Sequence, residues 1–157
     1  MRNYKTKLCL FTLHFSLFTI LLVLLTSCES NLNPISPVPD APVNVSINIM
    51  RDAPALDIPG NSYVITRPLL QNQYIGYSGI VIVHGLDGTF YAFDLCCPHE
   101  HSRDIRVGCS MILATCPSCG STFDIGFGTA MPTTGPSQYP LRRYTVTQSG
   151  YNLHVTQ

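Results

Sequence analysis

The chain has 157 residues, with nine Lys+Arg balanced by nine Asp+Glu, seven cysteines, twelve prolines and no tryptophan. That length allows one small domain rather than several. A neutral charge balance offers no basic surface for a phosphate backbone, which speaks against nucleic acid as a partner.

Met1 to Thr26 opens with Arg2, Lys5 and Lys7 and continues as a largely apolar run, Leu8 to Leu25, relieved by Thr12, His14, Ser16 and Thr19. A charged start followed by an apolar core is the pattern of a secretory signal, not of a retained membrane helix. Leu25-Thr26-Ser27-Cys28 follows directly and resembles the bacterial lipobox, in which the signal is cut before a cysteine that then carries lipid. The resemblance implies a signal peptide over 1–27 and a lipidated Cys28. The mature protein is then expected in the cell envelope, tethered to a bacterial membrane outside the cytoplasm.

From Cys28 to Gln157 nine acidic residues face six arginines and no lysine, a net charge of −3. Glu29 to Pro42 has prolines at 34, 37, 39 and 42 and hardly any large apolar residue. Together with Cys28, this stretch (28–42) predicts an extended, semi-rigid spacer, with the folded domain over 43–157.

Val43, Val45, Ile47 and Ile49 alternate with Asn44, Ser46 and Asn48, the pattern of a half-buried strand. Gly79 to His84 and Thr89 to Leu95 are apolar runs joined by Gly85-Leu86-Asp87-Gly88, which predicts a hairpin delivering the chain into Cys96. Arg103 to Cys109 and Met111 to Thr115 predict a second hairpin, and Tyr139 to Thr147 with Tyr151 to Val155 a third, turning at Gly150. No stretch holds a helical apolar period beyond two turns, so the domain is expected to be all-β with loops at strand tips.

Those hairpins present two cysteine loops, Cys96-Cys97-Pro98-His99 and Cys116-Pro117-Ser118-Cys119-Gly120, with 16 residues between them. Each is a tight, proline-stiffened turn with soft ligands, and together they can supply four ligands to one centre. Sulfur-rich sites suit zinc or iron–sulfur rather than magnesium or calcium. Cys96-x-x-His99 is itself a zinc spacing, so the choice between Cys96 and Cys97 is open on spacing alone.

Cys97-Pro98-His99 and Cys116-Pro117-Ser118-Cys119-Gly120-Ser121-Thr122-Phe123-Asp124 resemble the Rieske iron–sulfur domain, whose pattern is a Cys-x-His loop and a Cys-x-x-His loop followed by Gly-Ser and an aromatic-Asp pair. Gly135-Pro136-Ser137 sits where that family has a proline loop over the cluster, and Pro140 to Tyr144 resembles its closing strand. The resemblance implies a Rieske-like antiparallel β-sandwich with a small metal-loop subdomain and a [2Fe–2S] cluster. Residue by residue, Cys97 and Cys116 would hold the inner iron, while His99 and Cys119 would hold the outer one. Ser121 would donate to a bridging sulfide. The disulfide clamp of some relatives is absent, since Ser102 and Ser118 occupy its positions.

Cys119 replaces the family's second histidine. A third thiolate makes the oxidised cluster an anion, so its potential is expected between two-histidine and four-cysteine clusters, on the order of −300 to 0 mV. Phe123, where high-potential relatives carry tyrosine, implies the same direction, and only His99 is left to titrate on the outer iron. The implied function is electron transfer to a redox partner protein, as a carrier or subunit rather than a stand-alone enzyme. Two alternatives are zinc in the same four residues, as a structural module, and a metal-free binding lipoprotein with its cysteines oxidised in pairs. Cys96 and Cys109 are either a bridge in an oxidising compartment or two thiols. His101 is expected to face solvent, His84 and His154 to be ordinary strand residues, and Asp124 to tie down its loop.

Overall fold

The computed structural model describes residues 35–157, so the expected signal over 1–27 and Cys28 lie outside the described residues. Its first six strands are β1 (Val43–Asn48), β2 (Ser62–Ile65), β3 (Tyr74–Ile75), β4 (Ile80–His84), β5 (Phe90–Asp94) and β6 (Gly108–Ser110). The other five are β7 (Leu113–Thr115), β8 (Thr122–Asp124), β9 (Pro132–Thr134), β10 (Arg143–Ser149) and β11 (Asn152–Thr156). They form a seven-stranded sheet in the order β2-β4-β5-β10-β11-β1-β3 and a four-stranded sheet β6-β7-β8-β9. Every recorded pairing is antiparallel.

The hydrophobic pattern of each strand reports how many of its faces are covered. In β1, Val43, Val45 and Ile47 are buried while Asn44 and Ser46 are exposed, because one face packs and the other meets water. Those residues share a core with Ile80, Ile82, Phe90 and Ala92 of β4 and β5, and with Tyr144, Leu153 and Val155. The large sheet thus folds over on itself, and its two halves enclose one core. On their other face β4 and β5 present Val81, Val83, Tyr91 and Phe93 to Ala114, Phe123 and Ile125 of the small-sheet region. Both faces of this hairpin are covered, which is why its strands read as unbroken apolar runs. A two-layer antiparallel body with a small cysteine-bearing sheet against it is the architecture expected from the sequence.

Helix is confined to one turn, α1 (Ile49–Asp52), and a 3-10 turn at Pro54–Asp57 among the described residues. The Asn48 side chain accepts from the Arg51 amide at 3.2 Å, and Asp52 accepts from the Asn48 amide at 2.8 Å, a reciprocal cap. No helix among the described residues is long and apolar enough to cross a membrane. The end of the proline-rich stretch packs: Val38 is buried, and its carbonyl accepts from Arg142 Nη1 at 2.7 Å.

One acidic side chain stands inside this apolar fold. Asp94, the last residue of β5, is 0% exposed. Its carboxylate accepts from the amides of Tyr77 at 2.7 Å, Ser78 at 3.2 Å and Cys96 at 2.7 Å, and from the Tyr144 hydroxyl at 2.7 Å. Burial first, and then the Asp94 charge, hold the Tyr144 hydroxyl above the ordinary tyrosine range, so it remains a donor. Gly76 faces this group at φ +73°, where a Cβ would collide with Tyr144 Oη and Asp94 Oδ2.

Asp94→Ala leaves these donors unpaired. It is expected to lower the unfolding free energy by about 3 kcal/mol or more in urea titrations, since an unpaired buried donor costs about 1–3 kcal/mol. Tyr144→Phe, which removes one donor and keeps the acceptor satisfied by amides, is expected to cost about 1 kcal/mol.

Burial also pushes the Cys109 thiol, on β6, from 9.0 up to about 12. Between those values the folded chain keeps a proton that the unfolded chain has released. Its contribution is therefore complete below pH 9 and lost as pH rises toward about 12. Urea unfolding of the reduced chain at rising alkaline pH is expected to show declining stability, with a shallower decline in Cys109→Ala.

Candidate metal centre

Asp94 fixes where the first loop begins. The Cys96 amide is held by its carboxylate, and Cys96 bridges Arg106 across an isolated β-pair. Beyond it the chain turns back at once: the Cys97 carbonyl accepts from the amides of Glu100 at 3.2 Å and His101 at 3.1 Å. His101 takes φ 53° in this turn, the region where glycine is favoured, and its side chain is exposed as expected.

The second loop is built the same way. The β7–β8 hairpin brings it up from the small sheet, with Leu113↔Asp124 through Thr115↔Thr122 in register. The Cys116 amide donates to the Ser121 carbonyl at 2.8 Å, and the Gly120 amide donates to the Cys116 carbonyl at 3.0 Å. Gly120 closes the turn at φ +72°. Asp124 accepts from the Gly126 amide at 2.9 Å and so pins the turn after β8, as the sequence predicts.

Three thiols meet where the loops face each other. The Sγ atoms of Cys97, Cys116 and Cys119 all lie within 4.8 Å of one another, and those of Cys97 and Cys119 are 3.7 Å apart. Cys97 and Cys116 are buried, while Cys119 is half-buried. Two sulfurs bound at about 2.3 Å to one tetrahedral ion lie about 3.8 Å apart, so Cys97 and Cys119 are spaced as two ligands of one ion. The three thiols form a group able to hold a metal ion.

The other predicted residues fall around this group. Cys96 is excluded from it: its Sγ lies 3.5 Å from the Ser102 carbonyl oxygen and 3.6 Å from that of Cys97. Burial, reinforced by the Asp94 charge, raises its thiol to about 11. Cys96 and Cys109 are both free thiols. His99 shares the first loop with Cys97, and its side chain is exposed, outside the set of three thiols. His84 sits 2.8 Å from the Leu56 carbonyl oxygen and stacks on Phe90, and His154 pairs with Ser46. Both are strand residues without a part in the site.

Ser121 is buried beside Cys119, with its Oγ 3.1 Å from Cys119 Sγ and accepting from the Ser137 amide at 3.0 Å. Gly135, at φ +86°, lets the Gly135-Pro136-Ser137 loop lie directly on Ser121, whose Oγ and amide would be 2.7 and 2.8 Å from any added Cβ. The proline loop is therefore braced against the second cysteine loop.

The environment makes the thiols unequal. Burial pushes Cys97 up to about 12, against the opposing amides of His99 and Glu100. For Cys119 a desolvation cost is outweighed by donation from the Ser121 hydroxyl and amide and by the neighbouring thiols, so its thiol lies below the ordinary range. Motif reading does not reveal Asp94, nor the bonds that Tyr144 makes to it and Ser137 to Ser121. The signal for Asp94 is a lone acid inside the apolar run Thr89 to Leu95.

No protein-family model matches the chain, and no curated protein matches it. Among solved structures, the chain is similar to one from a complex of reduced oxygenase and oxidized ferredoxin in carbazole 1,9a-dioxygenase, with 19% identity over 71% of this chain and 99% of that one, at a TM-score of 0.46. It is also similar to the ferredoxin of Sphingomonas yanoikuyae B1, with 22% identity over 64% and 88% of the two chains and a TM-score of 0.41. A third is the ferredoxin of carbazole 1,9a-dioxygenase from Nocardioides aromaticivorans IC177, with 22% identity over 74% and 95% and a TM-score of 0.43.

In the reduced, metal-free chain, limited alkylation with iodoacetamide near neutral pH is expected to label Cys119 first among Cys97, Cys116 and Cys119. Ser121→Ala removes the donor to its thiolate, so mass spectrometry is expected to show slower labelling of Cys119 at unchanged pH.

Proposed function

We propose that this protein is an electron carrier whose [2Fe–2S] cluster is held by Cys97, His99, Cys116 and Cys119. The observation that carries this reading is the convergence of three thiols from two braced loops, with the Ser121 hydroxyl 3.1 Å from the Cys119 sulfur. Such donors tune an iron–sulfur centre by stabilising negative charge on sulfur. When bound, the cluster would supply reversible one-electron transfer. The chain's residues would hold it, keep water from Cys97 and Cys116, and leave the His99 edge open to a redox partner. Ser121, beside Cys119, would raise the potential, and the third thiolate would lower it.

Lipidation at Cys28 belongs to the same proposal and rests on the sequence Leu25-Thr26-Ser27-Cys28. The carrier would then work at a membrane of the cell envelope, outside the cytoplasm. Cys28→Ser is expected to move the protein from the membrane fraction to the soluble fraction, and unchanged membrane association would contradict the tether.

A specific observation favours a second reading, structural zinc. The 3.7 Å between Cys97 and Cys119 sulfurs is the spacing of two ligands on one ion, whereas the family register puts them on different irons. Metal and sulfide analysis of anaerobically purified protein separates the two. The redox reading expects iron and inorganic sulfide at about two each per chain with visible charge-transfer bands. It also expects Cys119→His to raise the midpoint potential. One zinc per chain without colour would replace the redox reading by the structural one.

A further inference from the structure

Cys97 and Cys119 stand on different loops with their sulfurs 3.7 Å apart, too close for any other atom to lie between them. Cys97 is wholly buried and Cys119 reaches solvent, so a small oxidant can meet only one of the pair directly. Among the described residues no bridge ties the loops elsewhere: Cys96 and Cys109 are free, and Ser102 and Ser118 offer no sulfur. Cys116 is the competing partner, within 4.8 Å of both sulfurs. It is buried like Cys97, so a bridge between those two would have no accessible sulfur with which to begin. Cys119 and Cys116 share one tight turn, closed by the Gly120 amide on the Cys116 carbonyl at 3.0 Å. A Cys116–Cys119 bridge within that turn is the alternative product, and the cross-loop pair is the one whose sulfurs face each other at 3.7 Å.

We propose that the metal-free site is an oxidation switch, in which a low-molecular-weight disulfide converts Cys97 and Cys119 into a bridge that withdraws two metal ligands. The Cys119 thiolate attacks one sulfur of the small disulfide, whose S–S bond breaks. A mixed disulfide is left on Cys119 and one small thiol departs. Cys97 then attacks the Cys119 sulfur and expels the second small thiol. Two protein thiols are oxidised, one small disulfide is reduced to two thiols, and the two protein protons end on those thiols. The bond needs only the thiol geometry; its effect on loading rests on the metal-site reading above. A histidine in place of Cys119 would supply a ligand and no such switch.

The test uses the full chain, freed of metal by chelation under reductant, freed of reductant without oxygen, and then treated with glutathione disulfide. Non-reducing peptide mapping is expected to find two thiols lost and a Cys97–Cys119 cross-link. The cross-link persists in Cys109→Ser. Cys97→Ser is expected to stall with glutathione on Cys119, a product that also shows the variant keeps this site accessible. The oxidised chain is expected to bind zinc at least 100-fold more weakly than the reduced chain, with affinity restored by dithiothreitol. A Cys116–Cys119 or Cys96–Cys109 cross-link, glutathione left unresolved on Cys119 in the parent chain, or no thiol loss would overturn the proposal. Equal zinc affinity in both states would overturn the switch and leave the metal site standing. A cross-link in a chain that binds neither zinc nor iron would support the bridge and overturn the metal-site reading.

Discussion

The buried carboxylate of Asp94 is the constraint on which the arrangement of this protein depends. A charge with no exposure is tolerated only where its hydrogen bonds are supplied, and here three amides and a hydroxyl supply them. The donors come from parts of the chain with different jobs. Tyr77 and Ser78 form the turn into β4, Tyr144 is the second residue of β10, and Cys96 starts the first cysteine loop. Satisfying one carboxylate therefore fixes the exit of β5, its pairing with β10 and the position of Cys97. Small movements of this group would be felt at the thiols.

The metal loops inherit that rigidity and add an asymmetry of their own. The first loop carries a thiol whose proton is held by burial, the second a thiol stabilised as its anion by Ser121. Ser121 is held in turn by the Ser137 amide, and Gly135 permits that contact by lacking a side chain. Cys119 thus sets an accessible thiol against the buried one of Cys97, 3.7 Å away.

How much of this could be read from sequence depends on how many faces of a segment are buried. β1 alternates because one face is wet, and β4 and β5 read as runs because both are covered, so all three are legible. The short edge strands β2, β3 and β9 carry no such period; each has two to four residues, and Pro132 is admissible in β9 because that strand lies at a sheet edge. The α1 turn leaves only the Asn48–Asp52 cap as a sign. The meeting of Cys97, Cys116 and Cys119 is legible because two tight turns at that spacing can serve one centre, whereas Ser121 comes only from the resemblance. Spacing alone does not choose Cys97 over Cys96, and it is the Cys96 contact with the Ser102 carbonyl that turns that sulfur away. Packing of Val38 is hidden as well, a single apolar residue among prolines whose partner, Arg142, is distant in sequence.

The most direct measurement is electron paramagnetic resonance of the reduced, anaerobically purified protein labelled with ¹⁵N-histidine. The account predicts a [2Fe–2S] signal coupled to a single histidine nitrogen, with that coupling lost in His99→Ser. A protein that gives no paramagnetic signal on reduction and contains stoichiometric zinc would contradict it.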